Sequence, residues 1–382
     1  MESIKTLFKR KNIDRLLTLL VVIYTVFLLC RMLFSCYQTL DFANEYREAA
    51  NIAMTRTLMK GESPYMPSSI NGDIPPVCYL YGPLMSMIAA ILGLLSGAER
   101  IQLIHYGISF FSILISAALV AHMVQKRCQG YCPMALGFML TVFCHWRYGY
   151  IFGAPDSLGL LIMIWALYAL DKCSETPKQQ EPYPEFAAFI TVLSFFTKQY
   201  FLMVAATGAV YLLFVSKKKF LRYSLTGIIS SLAAFLILKS QLPLYFTYAI
   251  YFIKGPGAGA AMGKTGRAYN TMQVSYLGGM LLMLFIAALA ALVRFCYIQL
   301  KGTRIHVNIK DINMPLIYFE PKSGSYAIGL SDNKNIYLFF IHALMALLVL
   351  KYIGNNDGAF LSYYLQLFVP ALIVISLWGI DL

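Results

Sequence analysis

Apolar runs of membrane-crossing length recur along the whole chain, separated by short loops rich in lysine and arginine. No other feature restricts the fold so strongly. In hydrocarbon every backbone N–H and C=O must find its partner within the protein, so such runs fold as helices. Hydrophobic residues make up 59% of the 382 residues and charged residues 13%, about half the charged share of a soluble domain. The expected fold is an all-α polytopic membrane bundle, with residues 1–382 as a single transmembrane domain and loops inserted between helices. The first run, Leu16 to Phe34, is too long for the apolar core of a signal peptide and lacks a small-residue cleavage site.

Candidate spans lie at roughly 16–35, 81–97, 103–124, 132–146, 157–171, 186–198, 200–215, 224–240, 276–297, 336–350 and 361–379. The net charge of +13 falls mainly in the loops between them. Clusters stand at Lys5–Arg15, Lys126–Arg127, Lys217–Arg222 and Arg294–Arg304. That placement reports orientation and argues against a nucleic-acid partner. If every span crosses, the last two clusters fall outside. If 81–97 is an in-plane or re-entrant helix opened by Pro83, all clusters fall inside together. The sequence thus predicts about ten crossings with both termini cytoplasmic. It predicts a long external excursion over 36–102, a second external loop over 241–275 and a cytoplasmic loop over 298–335.

The block 186–215 is apolar throughout except for Thr197-Lys198-Gln199. Two helices of that length cannot each cover ~30 Å at 1.5 Å per residue. They are expected to meet at the floor of an external cavity with Lys198 and Gln199 inside the membrane profile. An ionisable residue at that depth points to function, a snorkelling lysine being the alternative.

Asp41 and Glu45 directly follow the first span. From Ala43 to Lys60 the pattern is helical, with Tyr46, Ala49, Ala50, Ala53, Thr57 and Leu58 on one stripe and Arg47, Asn51 and Thr55 on another. Gly61 is placed to stop the helix, and Ser63-Pro64 forces an extended turn. This reads as a helix on the outer membrane surface that holds both carboxylates over the entrance between the spans. Asp41 would serve equally as the helix N-cap. A carboxylate there can take a proton from an acceptor hydroxyl, and cations nearby can absorb the charge of a leaving phosphate. Asp41, or Asp41 coupled to Glu45, suits the first role; Arg147, Lys198 and Arg267 suit the second.

The order Asp41-Phe42 … Tyr46 … Ala49 … Gly61-x-Ser63-Pro64-Tyr65 … Tyr79-x-Tyr81-Gly82-Pro83-Leu84 resembles the first external loop of the membrane C-type (GT-C) glycosyltransferases. It is most similar to the D-x-x-x-Y-x-x-A … G-x-x-x-Y … Y-P-P-L pattern of polyprenyl-phosphomannose mannosyltransferase relatives, with Gly82 where that pattern has its first proline. The resemblance implies a GT-C-like bundle and a polyprenyl-phosphate sugar donor. It also implies an essential acid at Asp41 and a second acid in the next external loop, where R-Y-G-Y-I-F-G-A-P-D-S offers Asp156 beside Arg147. Near the C-terminus G-N-N-D-G-A-F-L-S-Y-Y-L-Q resembles the segment before the family's last helices. Tyr46, Tyr65, Tyr79 and Tyr81 are the expected substrate-facing aromatics.

Other features are less specific. Arg147 follows Trp146 at a span end, where an interfacial anchor is the alternative. Asp156 follows Pro155 and would also cap a helix. The loop 241–275 carries G-P-G-A-G-A-A-M-G-K-T-G-R, but Ala258 stands where a nucleotide-binding loop needs glycine and no strand precedes it. Lys264 and Arg267 there suit a lid over a donor phosphate, or an ordinary surface loop. The eight cysteines read as packing residues and the five histidines as structural. No ligand spacing compels a metal, although Asp41 and Asp156 could share a divalent ion. Alternation over 305–309 suggests a short hairpin.

The expected activity is inverting glycosyl transfer from a polyprenyl-phosphate carrier to a lipid-linked glycan, polysaccharide or protein acceptor, at the extracytoplasmic face of a plasma or inner membrane, with no cofactor required. The alternative is a transporter or flippase of a lipid-linked or anionic solute, which would favour an internal repeat of broken helices that the chain does not show.

Overall fold

The computed structural model describes residues 10–38, 46–65, 81–148, 153–175, 183–247, 282–293, 295–297, 303–312, 316–321, 336–356 and 365–381. Among these residues the chain is helical apart from one hairpin. In chain order the helices are α1 (Arg10–Gln38), α2 (Tyr46–Met59), α3 (Leu84–Ser96), α4 (Ile101–Gln125), α5 (Cys132–Tyr148), α6 (Asp156–Glu175) and α7 (Tyr183–Phe195). They continue with α8 (Met203–Val215), α9 (Lys217–Gln241), α10 (Ile336–Asn356) and α11 (Val369–Asp381), and a further apolar helix covers Leu282–Tyr297.

The outer helices show how apolar sequence divides between core and lipid. In α1 the buried residues are Thr25, Leu28, Met32 and Cys36, spaced by three and four, while Leu16, Leu20, Ile23, Phe27 and Phe34 are exposed. The buried stripe packs on Tyr106, Ile113 and Ala117 of α4 and Val142 of α5. One helical stripe faces protein and the rest of the circumference is apolar, as a lipid-facing helix requires. The foot of α1 is pinned by Asp14, whose carboxylate accepts the N–H groups of Tyr131 (3.2 Å) and Cys132 (3.0 Å) and so caps α5 from a different helix.

At the centre lies α6. Leu160, Met163, Ile164, Ala166, Leu167 and Leu170 are all buried, so this helix is packed by its neighbours on most of its circumference, with Trp165 exposed on the remaining side. Its C-terminal end carries buried Asp171, held by Arg127 and by Lys126 Nζ at 3.6 Å. Arg127 also stacks on the Phe339 ring at 4.6 Å, tying α4, α6 and α10 together. Charges buried this deeply persist only in pairs.

Among the described residues three helices are long and apolar enough to cross a bilayer by length and composition: Lys11–Gln38, Ala98–Gln125 and Lys217–Gln241. Together with the apolar outer surface they mark a membrane protein. The remaining apolar helices among the described residues are shorter. The segment 81–97 forms α3, 13 residues opened by Pro83 at φ −78°. At 1.5 Å per residue it is about 20 Å long, short of ~30 Å of hydrocarbon. Glycine at 97 has φ +107° and turns the chain from α3 toward α4.

The exception to the all-helical expectation is the hairpin. Strand β1 (Thr303–Val307) pairs antiparallel with β2 (Ile317–Pro321), with Ile305 opposite Phe319. The predicted hairpin is present but starts two residues earlier and ends at Val307, because Asn308 opens the turn. The Asn308 side chain accepts the N–H groups of Lys310 and Asp311, both at 3.1 Å.

Of the seven cysteines among the described residues, Cys36, Cys128, Cys144 and Cys173 are buried within the bundle. His105 and His342 are buried and hydrogen-bonded, to Thr55 (2.8 Å) and to the Leu367 carbonyl (3.0 Å).

Candidate functional site

The break predicted at Thr197-Lys198-Gln199 is real and has a clear local cause. Helices α7 and α8 are 13 residues each, joined through a 3₁₀ turn over Gln199–Leu202. Ser194 Oγ donates to the Thr191 carbonyl and Thr197 Oγ1 to the Ser194 carbonyl, each at 2.6 Å. These side chains compete with the helical ladder and end α7. Lys198 is then extended (φ −149°, ψ 142°), which turns its side chain out of the helix axis into the protein.

A second strand-like segment runs against the break. Gly82 N–H donates to the Thr197 carbonyl (2.9 Å) and Leu84 N–H to the Phe196 carbonyl (3.1 Å). A Cβ at residue 82 would overlap the Phe196 carbonyl. Proline there would add that clash and remove the N–H that Thr197 uses. The Gly82 departure from Y-P-P-L therefore has a structural reason: the Tyr81–Leu84 segment docks on the α7–α8 break through its backbone. Tyr81 lands with its ring 4.1 Å from Lys198 Nζ.

The third wall is the start of α6. A Cβ at Gly159 would overlap the Phe201 ring and Thr197 Oγ1, so α6 approaches the break as closely as a bare backbone allows. One turn earlier stands Asp156. Its Oδ1 lies 2.6 Å from Lys198 Nζ and accepts the Tyr200 hydroxyl at 2.7 Å. Asp156 and Lys198 are each 1% exposed. Asp156 Oδ2 is buried without a hydrogen-bond partner. The carboxylate expected to cap α6 is instead spent on Lys198 and Tyr200, at the end of the helix where the macrodipole also favours negative charge.

The surface helix of the first loop is placed differently from expectation. α2 buries its polar stripe: Glu48, Asn51 and Thr55 are all buried. Asn51 Nδ2 donates to the Gly153 carbonyl (3.2 Å), Ser86 Oγ to the Asn51 carbonyl (3.3 Å), and Thr55 Oγ1 meets His105 Nε2 at 2.8 Å. Gln102 Nε2 approaches Glu48 Oε1 at 3.5 Å. Glu48 packs so tightly on Gly153 that any side chain there would strike it. The stripe faces inward because α3, α4 and the 153–155 turn offer it hydrogen-bonding partners that membrane does not. α2 thus clasps the turn that delivers Asp156.

Tyr65, expected to face substrate, is buried. Its hydroxyl donates to the Tyr81 carbonyl at 2.6 Å, its carbonyl accepts Leu244 N–H at 3.0 Å, and its ring meets Tyr245 edge-on at 5.3 Å. It is a strut beneath Tyr81, fixed because G-E-S-P-Y folds back into the core of Met54, Leu238 and Tyr245.

Of the expected site residues, the structure brings together Asp156, Lys198 and Tyr81. Gln199 opens the adjoining 3₁₀ turn. Tyr46 opens α2 and Arg147 lies in the last turn of α5, as backbone positions only. Asp41, Glu45, Tyr79, Lys264 and Arg267 lie outside the described residues, as do the glycine-rich stretch and most of the loop 241–275. Tyr200 and Glu48 are site residues that sequence reasoning did not select. Among the described residues no group of three or more His, Cys, Asp or Glu could hold a metal.

Beside the break an apolar groove of about 720 Å³ runs between α7, α8 and α9. Phe195, Phe196 and Leu202 line it next to the break, and Tyr223, Gly227 and Ser231 line it along α9.

What fold and site define together is a helical membrane protein with a buried acid–lysine–tyrosine cluster at a broken helix. No family model matches the chain, and no curated protein matches it. Among solved structures the chain is similar to the oligosaccharyltransferase of Archaeoglobus fulgidus, solved with a tethered acceptor peptide containing the NVT sequon. Identity is 12% and the TM-score 0.42, over 97% of this chain and 50% of that one. The chain spans half the length of that protein.

Proposed function

We propose that the chain is an inverting glycosyltransferase of the GT-C kind that uses a polyprenyl-phosphate-linked sugar at the extracytoplasmic face of a membrane. The observation that carries this reading is the buried Lys198–Asp156 pair at a helix break whose flanking residues Phe195, Phe196 and Leu202 line an apolar groove. A lipid phosphate has a long apolar tail and a single anionic head. An apolar groove next to a helix break that holds a buried ammonium suits the two ends of such a molecule. The order of the first-loop motifs supports the same reading.

In this scheme Asp41 is the base, with Glu45 or Asp156 assisting. It takes the proton of the acceptor hydroxyl as that oxygen bonds to the anomeric carbon and the bond from that carbon to the phosphate oxygen breaks. Polyprenyl phosphate leaves with its negative charge met by Lys198, with Gln199, Arg147, Lys264 and Arg267 around it. Asp156 balances Lys198 until phosphate arrives, and Tyr200 keeps the carboxylate from swinging away. Tyr46, Tyr79 and Tyr81 border the sugar. About ten helices cross the membrane in this reading, with 36–102 and 241–275 external and 298–335 internal. The acceptor is a lipid-linked glycan, polysaccharide or protein, and a divalent ion between Asp41 and Asp156 is an optional element.

The test is reconstitution in vesicles loaded with labelled polyprenyl-phosphate sugar and an acceptor extract. Transfer of label to acceptor, lost in Lys198→Met, supports the proposal. Movement of intact donor between leaflets without transfer would establish the transporter reading instead.

A further inference from the structure

We propose that the tip of the β1–β2 hairpin is an interfacial membrane anchor, seated among anionic phospholipid headgroups at the basic end of α9. The inference rests only on reading α9 as a bilayer span and is independent of the proposed chemistry. Val307, Ile309 and Ile312 are 63%, 77% and 64% exposed within six residues of chain. Among the described residues these three branched aliphatics form an exposed apolar surface on one small turn, which contact with lipid would cover.

The hairpin's position says what covers them. Lys217 Nζ, on the first residue of α9, donates to the Asp311 carbonyl at 2.9 Å. The tip is therefore fastened at the level where α9 enters the apolar layer. One turn further along, Leu221, Leu225, Ile228 and Ile229 are exposed and form the lipid-facing surface of that helix. The exposed aliphatics of the tip are thus tied to the end of α9 at which that surface begins. The Asn308 side chain locks the turn through Lys310 N–H and Asp311 N–H, and Asn308 N–H bonds the Leu316 carbonyl at 2.8 Å. The tip thus holds its shape through its own turn hydrogen bonds and the Lys217 contact. Among the described residues of the tip and the first turn of α9, Lys217, Lys218 and Lys310 bring three positive charges and Asp311 one negative charge, a balance that a negatively charged lipid surface attracts. Aliphatics below basic residues are also the composition of segments that lie in the headgroup layer.

The test uses the full chain in lipid nanodiscs and reads the added fluorescence of Ile309→Trp over the three native tryptophans. Ile229→Trp, midway along α9, is the reference for a lipid-facing site. The expected result is blue-shifted emission at 309 that brominated lipid quenches about as strongly as at 229. Aqueous iodide should quench it weakly, and the shift should grow as phosphatidylglycerol replaces phosphatidylcholine. Lys310→Glu should abolish that dependence on anionic lipid. Ile312→Trp gives the same readout should Ile309→Trp fold poorly. Iodide quenching without lipid quenching would place the tip in water, and shielding from both quenchers would place it against protein; either result overturns the proposal.

Discussion

Lys198 Nζ and Asp156 Oδ1 stand 2.6 Å apart, both buried, with the Tyr200 hydroxyl on the same carboxylate oxygen. The ammonium is supplied by a helix break and the carboxylate by the start of a different helix. Removing one partner leaves a buried charge, so Asp156→Ala should destabilise the folded chain by about 3–5 kcal/mol. Replacing both, as Asp156→Leu with Lys198→Met, should recover most of that loss while activity stays abolished. A double-mutant cycle of thermal stability and transfer, measured on the same samples, separates the two roles. Activity that returned with stability would reduce the pair to a packing element.

The Tyr200 hydroxyl fixes the carboxylate rather than the cation. Tyr200→Phe keeps the ring and removes one hydrogen bond, a loss of about 1 kcal/mol. The expected signature is a modest fall in melting temperature with a larger fall in kcat, because Asp156 can then rotate away from Lys198. A change in melting temperature with kcat intact would contradict this role.

Gly82 tests the docking of the first loop on the broken helix. Gly82→Ala must displace the Phe196 carbonyl, and Gly82→Pro also forfeits the hydrogen bond to Thr197. Both substitutions should lower activity, the proline more, and both should increase protease cutting near residues 60–80 in detergent. A fully active Gly82→Pro would mean that the backbone clip has no part in shaping the site.

Tyr65 is predicted to act only through Tyr81. Tyr65→Phe removes the hydroxyl that donates to the Tyr81 carbonyl, at a cost of about 1 kcal/mol. Donor KM should rise through loss of Tyr81 placement, and Tyr81→Phe, which retains the ring beside Lys198, should be nearly silent. The reverse ranking would return Tyr65 to direct substrate contact.

The groove offers a test of donor length. Gly227 lies on its α9 wall, so Gly227→Leu should narrow it without touching the cluster. Transfer from long-chain donors should suffer more than transfer from a short-chain analogue. Equal loss for both would argue that the tail lies elsewhere.

The break at Lys198 was legible because arithmetic forces it: one apolar block is too long for one span and too short for two. The helix over 46–59 was legible from its period, but its orientation was not. Period ranks stripes by hydrophobicity, and the polar stripe turns inward only because Gly153, Ser86 and His105 meet it, contacts between segments far apart in sequence. Glu48, Asn51 and Thr55, spaced by three and four, were the available signal. Tyr200 was hidden in Q-Y-F-L, where an aromatic at a membrane helix end looks like any interfacial anchor. The reason for Gly82 could not be seen before its partner carbonyl was known, since a close backbone approach leaves no mark on hydropathy.

The central claim is transfer of sugar from a polyprenyl phosphate with Asp41 as the base. It is tested most directly by incubating purified chain with radiolabelled polyprenyl-phosphate sugars and an acceptor extract, and following label on acceptor together with released polyprenyl phosphate. The account predicts equal appearance of both products in the native chain and a fall of roughly 10²–10⁴-fold in Asp41→Asn, the usual worth of a positioned base. Undiminished transfer by Asp41→Asn, or no release of polyprenyl phosphate with any donor, would contradict it.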